Sequence, residues 1–348
     1  MIRRIHLNPI IKPSDIQPLN DQLEVMGVFN PGAVLFNKKT ILILRVAEKC
    51  REEKGWIKVP VFERNENGFG IRILKWKRNS GNVIYDKDPR YFTINKRKYL
   101  SSVSYFLIAE SSDGENFKIT ENKILPSTVY ETFGIEDPRI TKLGDIFAVT
   151  YTSVSEYGYY VSLKTTNDFT NFIYKGIILP PENKDACLFP EMIHGKYYCL
   201  HRPGNVFIGK PSIWIAESYD LTNWGNHKCL LKPEDLVPEP VKIGAGPPPV
   251  KTPEGWLLFF HSCNEDSVYT LHIALLDLNN PLEILKVKTT PLLEPETEYE
   301  KEGIVSNVVF SNGWVVHPDG RVNIYYGAAD FCTALAQTTV PELLNFLK

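Results

Sequence analysis

Short runs of β-branched and aromatic residues, separated by turns, dominate the hydrophobic pattern of the chain. The 22 Gly and 25 Pro residues punctuate these runs, and long apolar runs with a 3.6-residue period are confined to the C-terminus. This pattern predicts many short strands and an all-β fold. At the C-terminus, Thr339 can cap a short helix and Pro341 suits its first turn. The apolar face of that predicted helix is formed by Leu343, Leu344 and Leu347.

One plan recurs five times: a polar or Gly/Pro entry, a short strand, a turn, and a second strand that ends in a polar or aromatic residue. The five predicted pairs of strands are 30–36 with 41–45, 136–143 with 146–151, 189–193 with 196–202, 246–250 with 256–261, and 307–310 with 322–326. Recurrence at a spacing of roughly 50–60 residues is typical of the four-stranded blades of a β-propeller. We therefore expect one five-bladed β-propeller domain over residues 1–348, followed by the short C-terminal helix.

A second repeated feature is an Asp at a hairpin turn, with an aromatic residue four positions later. It occurs at Asp113, Asp168 and Asp220, and in a looser copy at Asp277. An Asp in such a turn usually accepts hydrogen bonds from its own backbone. We therefore predict structural roles for these four side chains.

The interval between the first and second pairs of strands is much longer than the others. The additional residues, about 48–99, are rich in Lys, Arg and Glu. We expect them to form an insertion after the first blade, beside the mouth of the central channel of the propeller. Strand character within it is found at 59–62 and 70–76. Specificity is expected to lie in loops of this kind, which no spacing rule decodes.

Composition narrows the class of protein. The 348 residues are 43% apolar and 23% charged, which suits a globular protein with a sizeable core, and the net charge of −2 gives no reason to expect nucleic acid or an anionic membrane as a partner. The start of the chain lacks the apolar region of an export signal, and no apolar run reaches transmembrane length. The six cysteines show no C-x-x-C spacing, so we expect reduced, mostly buried thiols in a cytoplasmic protein. Cys and His do not cluster at metal-ligand spacing, and we expect no metal site.

The most informative stretch is 131–152, where two neighbouring carboxylates are followed by Pro-Arg at the start of a predicted strand. Successive side chains of an extended backbone point to opposite faces. Asp137 and Arg139 can therefore share a face, and we expect Glu136 to point away from any pocket that Asp137 faces. A surface turn with a salt-bridged acid is the alternative interpretation of this motif.

If the first strands of the blades line a channel, the polar residues at their entries meet at one mouth. Those residues are Asn30, Arg45, Asp137, Arg139, Lys184, Asp185, Glu191, His201, Arg202, Lys242, His261 and Asp330. An inverting glycosidase needs two carboxyl groups about 6.5–9.5 Å apart. A phosphorylase needs one acid and a cluster of cations to bind the phosphate nucleophile, and cations are numerous here. Taken singly, Arg45 and Arg202 could be rim residues, and His201 and His261 could be satisfied core histidines.

Five segments resemble glycoside hydrolase family 130, in order and over nearly the whole chain. They are GIEDPRIT at 134–141, NKDACLFPE at 183–191, HRP at 201–203, GAGPPP at 244–249 and YYGAAD at 325–330. The resemblance implies a five-bladed β-propeller that cleaves β-mannosides, mostly by phosphorolysis with inversion, and releases α-mannose 1-phosphate. The segment LRVAEK at 44–49 is most similar to members that act on β-1,2-linked mannose.

The same resemblance implies roles for individual residues. Asp137 resembles the proton donor, which acts through a hydroxyl of the bound mannose. The phosphate-binding positions match Arg45, Lys184 in place of an arginine, Arg202 and His261. The resemblance also implies that Asn30, Lys242 and Asp330 lie beside the mannose or phosphate. From their positions at the mouth we add Arg139, Asp185 and Glu191 to the substrate-binding set, and Glu191 could instead be a second acid or a structural anchor. Ser262 stands where the family pattern has glycine.

We therefore expect phosphorolysis of β-1,2-mannobiose or short β-1,2-oligomannosides, with inorganic phosphate as co-substrate and no other cofactor. The alternatives are a β-mannoside hydrolase on the same fold, a β-1,4-mannoside phosphorylase, and a non-catalytic sugar-binding propeller. The sequence leaves open the linkage, the preferred chain length and whether the protein forms a homo-oligomer.

Overall fold

The computed structural model describes residues 2–66, 68–79, 83–85, 90–204 and 207–348. Strands dominate these residues, and the predicted all-β class is confirmed. In chain order the strands are β1 (Arg3–Arg4), β2 (Leu23–Phe36), β3 (Lys39–Cys50), β4 (Trp56–Asn65), β5 (Gly68–Lys77), β6 (Val83–Tyr85), β7 (Tyr91–Ile94), β8 (Arg97–Leu100), β9 (Ser102–Ser111), β10 (Lys118–Ile124), β11 (Gly134–Leu143), β12 (Ile146–Ser155), β13 (Gly158–Thr166), β14 (Ile173–Leu179), β15 (Asn183–Leu188), β16 (Tyr197–Pro203), β17 (Ile213–Ser218), β18 (Gly225–Leu231), β19 (Lys242–Ala245), β20 (Val250–Thr252), β21 (Gly255–Cys263), β22 (Tyr269–Leu276), β23 (Ile284–Val287), β24 (Val309–Val316), β25 (Arg321–Ala328) and β26 (Cys332–Thr339).

Helices are short. The α-helices are α1 (Glu298–Lys301) and α2 (Val340–Phe346), and 3-10 turns lie at Pro13–Asp15, Val129–Glu131 and Pro233–Asp235. The predicted C-terminal helix is confirmed as α2. The Thr339 side chain accepts a hydrogen bond from the backbone N–H of Glu342, and Leu343 and Leu347 are buried in the core.

Antiparallel sheets repeat along the chain. Strands β2, β3, β9 and β10 form sheet 1, and β11 to β14 form sheet 2; a single parallel pair, Gly134 with Ser104, joins the two halves into one eight-stranded sheet. Strands β15 to β18 form sheet 3. In sheet 4, β19 and β20 both pair with β21, which is followed by β22 and β23. Sheet 5 contains β24, β25 and β26, and β1 completes it by pairing with β26.

The core lies between the sheets. Separate buried clusters fill the spaces between sheets 1 and 2, 2 and 3, 3 and 4, and 4 and 5, and a fifth cluster packs sheet 5 against sheet 1. Both faces of many strands are therefore buried. In the run WLLFF at 256–260, alternate side chains belong to the cluster on one side or the other of β21, which explains why the run is continuously apolar.

Three of the five predicted strand pairs correspond to observed pairs, β2–β3, β11–β12 and β24–β25. In the fourth, the second strand is β21 as predicted, but the first, expected at 246–250, falls almost entirely in the loop between β19, which ends at Ala245, and β20, which begins at Val250. The third was placed wrongly. We expected its first strand at 189–193, but β15 ends at Leu188 and the following residues form a loop closed by the Ile193–Lys196 bridge. Pro190 lacks the N–H that a ladder needs, so the strand ends just before it.

The insertion also differs from the prediction. It does not follow the first unit but lies inside sheet 1, between β3 and β9, which pair without interruption from Thr40–Ser111 to Lys49–Ser102. It contains the β4–β5 hairpin, which covers both predicted strands, and the small sheet β6–β7–β8. Apolar residues of the insertion pack on Phe133 beside sheet 2.

The repeated turn aspartates have the predicted structural role. Asp113 Oδ1 accepts from the backbone N–H groups of Glu115 and Asn116, both at 2.8 Å. The same pair of bonds to the residues two and three positions later is made by Asp168, Asp220 and Asp277.

The six cysteines are free, and all except Cys229 are buried. In the ranges that the structure describes, no helix combines the length and apolar character needed to cross a membrane. Those same ranges contain no group of three or more His, Cys, Asp or Glu side chains arranged to hold a metal ion.

Candidate active site

The same irregularity occurs in β2, β11 and β15, the first strands of sheets 1, 2 and 3. The register of each strand shifts where it passes its partner, at 29–32, 136–139 and 184–187. The residue at the shift has a positive φ, which is 49° at Asn30, 53° at Asp137 and 52° at Asp185. Asn and Asp tolerate this conformation better than most residues with a Cβ. A bulge can re-aim a side chain, and here it turns three polar side chains into one buried cluster.

Glu136 and Asp137 both face this cluster, so the prediction from strand alternation was wrong. Arg45 of β3 donates from Nη2 to Glu136 Oε1 at 2.7 Å and from Nη1 to Asp137 Oδ1 at 2.9 Å. The prediction assumed a regular extended backbone, whereas the bulge at Asp137 interrupts the alternation. Arg139 does turn inward, but it reaches Asp137 through the backbone carbonyl, at 3.1 Å from Nη1.

Asp137 is buried and held as a carboxylate. Besides Arg45, Asn30 donates from Nδ2 to Asp137 Oδ1 at 3.0 Å. Burial alone would raise the pKa of Asp137, but the nearby charges of Arg45, Arg139 and Lys184 and the Asn30 hydrogen bond outweigh it and leave that pKa below its ordinary value of 3.8. The group is therefore ionised at neutral pH when no ligand is bound.

Asp185 is the centre of a second buried ion-pair network. Its Oδ1 accepts from Arg139 Nη2 at 3.2 Å, its Oδ2 accepts from Arg202 Nε at 2.6 Å, and His261 Nε2 lies 3.6 Å from Oδ2. Burial opposes ionisation, but Arg202, His261 and Arg139 outweigh it and lower the pKa of Asp185. Since both carboxylate oxygens are occupied by protein cations, Asp185 serves to organise the cluster.

Arg139 links three sheets from a position that is 1% exposed. In addition to Asp185, it donates from Nε to the Gly246 carbonyl at 2.9 Å and from Nη2 to the Ala245 carbonyl at 3.0 Å. These bonds join β11 of sheet 2 to sheets 3 and 4. The guanidinium is thus a buried crosslink beneath the polar cluster.

His261 is buried and neutral, because burial lowers its pKa to about 3 against the opposing effect of Asp185. Its Nδ1 has no hydrogen-bond partner among the described residues. Gly244, which pairs with His261 across the β19–β21 ladder, leaves room for this arrangement: a Cβ there would lie 2.4 Å from Asp185 Oδ2 and 2.5 Å from His261 Cε1. An unpartnered buried ring nitrogen next to a carboxylate that two arginines bind is suited to receive a polar ligand.

Two lysines border the cluster. Lys184 Nζ lies 3.5 Å from Glu136 Oε2 and 4.8 Å from the centre of the Tyr159 ring. Lys242 Nζ lies 5.0 Å from the centre of the Tyr269 ring. Burial lowers the pKa of Lys242, and the nearby Arg202 charge acts in the same direction.

Asp330, in the turn between β25 and β26, differs from the other acids in the cluster. Burial raises its pKa to about 6; Arg45 opposes this rise and the Asp137 carboxylate reinforces it. Arg90 of the insertion also acts on Asp330, which supports the predicted position of the insertion beside the site. Unlike Asp137 and Asp185, Asp330 is therefore partly protonated near neutral pH.

Two predicted residues lie elsewhere. Glu191 follows β15 at the end far from Lys184 and Asp185; its side chain is 46% exposed and pairs with Lys251. The structure does not support Glu191 as a substrate ligand or second acid. His201 bonds through Nδ1 to Asn183 Oδ1 at 3.1 Å and through Nε2 to His227 Nδ1 at 3.0 Å, so it is the satisfied core histidine that the alternative interpretation described.

Ser262 does not disturb the position of His261. It lies within β21, where no positive φ is required, and its Oγ is 3.0 Å from both Thr270 Oγ1 and His272 Nε2. The hydroxyl that replaces the expected glycine is thus absorbed by neighbouring polar groups.

The residue that sequence reasoning missed is Glu136. A signal was present: Asn30-Pro31 and Asp137-Pro138 occupy the same place in two repeats, which marks a shared departure from regular strand geometry. In sheets 1, 3 and 4, the strand that pairs with the first strand also carries a site residue at a matching position. Arg45, Arg202 and His261 face equivalent positions of the first strands, opposite Phe29, Lys184 and Gly244.

Comparison with known proteins identifies the family of this chain. The model of glycoside hydrolase family 130, described as beta-1,4-mannooligosaccharide phosphorylase, matches residues 78–348. The chain belongs to this family. It is 40% identical to the beta-1,2-mannobiose phosphorylase of Listeria innocua, with 100% of this chain and 98% of the relative covered. It is 36% identical to the beta-1,4-mannooligosaccharide phosphorylase of Ruminococcus albus, with 100% and 91% covered.

Among solved structures, the Listeria innocua beta-1,2-mannobiose phosphorylase in complex with beta-1,2-mannobiose matches with a TM-score of 0.91, covering 99% of both chains. A family 130 structure whose description concerns glycoside hydrolases that target beta-1,2 mannosidic linkages matches with a TM-score of 0.74 at 21% identity, covering 98% of this chain and 94% of that one. The second likeness shows the shared fold alone.

Proposed function

We propose that this chain is a β-mannoside phosphorylase that cleaves β-1,2-mannobiose or short β-1,2-oligomannosides with inversion, using inorganic phosphate and releasing α-mannose 1-phosphate. The observation that carries the proposal is the cluster in which Arg45, Lys184 and Arg202, from two sheets, surround the carboxylates next to Asp137. The full-length similarity to a beta-1,2-mannobiose phosphorylase supports the choice of linkage.

In this mechanism phosphate binds among Arg45, Lys184, Arg202 and His261 and attacks the anomeric carbon of the mannose. The glycosidic bond breaks as the new C–O bond forms, and the leaving sugar oxygen receives a proton that originates on Asp137. Arginine suits this role because its fork donates two parallel hydrogen bonds to an oxyanion. Preorganised cations facing the bound anion are the larger contribution of the protein.

The ionised state of Asp137 is consistent with this role. Two of the cations that keep its pKa low, Arg45 and Lys184, are also groups that would hold phosphate. A bound phosphate dianion neutralises them, so its arrival raises the pKa of Asp137 toward the protonated state that a general acid needs. The acid thus becomes competent only when the nucleophile is in place.

Other members of the cluster have distinct proposed tasks. Asn30 Oδ1 is buried and has no hydrogen-bond partner among the residues that the structure describes, and we assign it to a hydroxyl of the mannose. Asp330 and Lys242 border the same space and complete the substrate contacts. Arg139 and Asp185 hold the cations in position from beneath.

We also propose that the five sheets are the blades of one five-bladed β-propeller whose first strands line a channel. The five interfacial clusters support this, because the fifth packs sheet 5 against sheet 1. The pairing of β1, near the start of the sequence, with β26, near its end, also supports it. The remaining expectations, namely no cofactor besides phosphate, no nucleic-acid or membrane partner and a cytoplasmic location, rest on the sequence alone.

The test is incubation of the purified protein with β-1,2-mannobiose, with and without inorganic phosphate, while mannose 1-phosphate and free mannose are both assayed. Mannose 1-phosphate that forms only with phosphate supports the proposal. Free mannose that forms at the same rate without phosphate makes the protein a hydrolase and overturns it.

A β-1,4-mannoside phosphorylase is the second candidate. The description of the matching family model and the Ruminococcus albus relative favour it. The same assay with β-1,4-mannobiose in parallel separates the two, and a higher kcat/KM for the β-1,4 substrate would reverse our choice of linkage.

A further inference from the structure

Glu136 lies between two of the side chains that we assign to phosphate. Its Oε1 accepts from Arg45 Nη2 at 2.7 Å, and its Oε2 lies 3.5 Å from Lys184 Nζ. The three residues belong to β11, β3 and β15, and thus to three different sheets. One carboxylate therefore bridges two cations that come from different sheets.

A carboxylate and a phosphate offer these cations the same kind of acceptor, a pair of negatively charged oxygens. Glu136 therefore occupies donors that phosphate also needs. Its negative charge also remains close to any phosphate bound there, and two like charges a few ångströms apart in a largely buried site repel strongly. Both effects weaken phosphate binding.

The two cations have other contacts that keep them in place. Arg45 donates from Nη1 to Asp137 and from Nε to Ser104 Oγ at 3.2 Å, and Phe29 lies beneath its guanidinium at 4.9 Å. The Lys184 ammonium lies over the Tyr159 ring. Glu136 is thus not the sole support of either cation, and its removal should leave both facing the site.

We propose that Glu136 is a positioning residue that acts as an internal competitor of phosphate: it binds Arg45 and Lys184 in the free protein and yields donors to the incoming anion. This inference rests on the proposed function, because it requires that phosphate bind at these cations. Its consequence is that Glu136 keeps phosphate affinity below what the cations alone would give, which favours release of phosphorylated product.

The experiment is calorimetric titration of inorganic phosphate into the wild type, Glu136→Gln and Glu191→Gln at one pH and ionic strength, without sugar. Glu136→Gln keeps the size of the side chain and an oxygen that can accept from Arg45, but it removes the charge. We expect its Kd for phosphate to fall by about tenfold. Glu191→Gln is the matched control; it removes an exposed glutamate outside the cluster and should leave the Kd unchanged.

An unchanged or weaker affinity in Glu136→Gln overturns the inference, because a support or sugar-binding role predicts no gain. If neither the wild type nor this variant binds phosphate, the inference fails as well. Glu136→Ala is the second variant and should shift the Kd in the same direction; thermal melting confirms that each variant is folded. Mannose 1-phosphate formation by the wild type tests the proposed function separately, so an active wild type without tighter binding in the variants refutes the competitor role alone.

Discussion

Replacement of Asp137 by Asn is the sharpest test of the proposed chemistry. Asn accepts the positive φ of 53° that this position requires, and its side-chain oxygen can still accept from Arg45 and Asn30. Arg45 also keeps its bond to Glu136, so no buried charge is left without a partner. We therefore expect a loss of only about 1–2 kcal/mol in the free energy of unfolding.

The effect on turnover should be far larger. A positioned general acid contributes about 10²–10⁴ in rate, which corresponds to about 3–5 kcal/mol in the activation free energy. Phosphorolysis of β-1,2-mannobiose by Asp137→Asn should fall by that factor. An aryl β-mannoside, whose leaving group needs little protonation, should lose much less.

Asp330→Asn provides the comparison that could refute this reasoning. The pKa of Asp330 is raised to about 6, so roughly one tenth of this group is protonated at pH 7 in the free protein. If Asp137→Asn kept near-normal kcat while Asp330→Asn lost it, and the aryl substrate rescued only the latter, the proton would come from Asp330. Our argument that bound phosphate raises the pKa of Asp137 would then be wrong.

Three further predictions concern stability and positioning. Asp185→Asn should lower the free energy of unfolding in urea by about 3–5 kcal/mol, since it removes the carboxylate from buried arginines; a loss below 1 kcal/mol would contradict the ion-pair network. Gly327→Ala places a methyl group 1.9 Å from Asn30 Oδ1. It should reduce kcat/KM at least tenfold, because small misplacements of groups in an active site are costly. The control is Gly225→Ala, which has open space around the new methyl group and should leave kcat/KM unchanged. Burial lowers the pKa values of His201, His261 and His272 in the folded protein. The free energy of unfolding should therefore fall as the pH drops from about 6.5 toward 3, by up to about 1.4 kcal/mol per pH unit for each histidine that is protonated only in the unfolded chain. A flat profile of unfolding free energy against pH would contradict these lowered pKa values.

Much of the fold could be predicted because its signals are local. A Gly or Asn turn between two apolar runs specifies a hairpin, and the recurrence of that unit exposed the repeat. Strand β15 escaped because its residues, NKDACL at 183–188, are interrupted by a bulge and do not form an apolar run. The insertion was found by its length, but only the β3–β9 register could show that it lies within a sheet.

Most residues of the candidate site could be predicted from the sequence, but the contacts between them could not. Arg45, Arg202 and His261 were visible because a polar residue at the end of an apolar strand is conspicuous. Which carboxylate each one meets depends on contacts between sheets, and that information is not carried by any single segment. Glu136 was misassigned because strand alternation presumes regular backbone, and the roles given to all these residues stay predictions until they are measured.

The way the insertion is attached has a consequence for how such enzymes diversify. Lys49 and Ser102 are direct partners in the ladder, so residues 51–101 leave and rejoin sheet 1 at neighbouring points. A segment attached in this way is a cassette: it can be lengthened, shortened or exchanged between relatives without changing the register of either strand. Evolution, or an engineer, can therefore alter the surface beside the polar cluster while Arg45 and Asp137 keep their places.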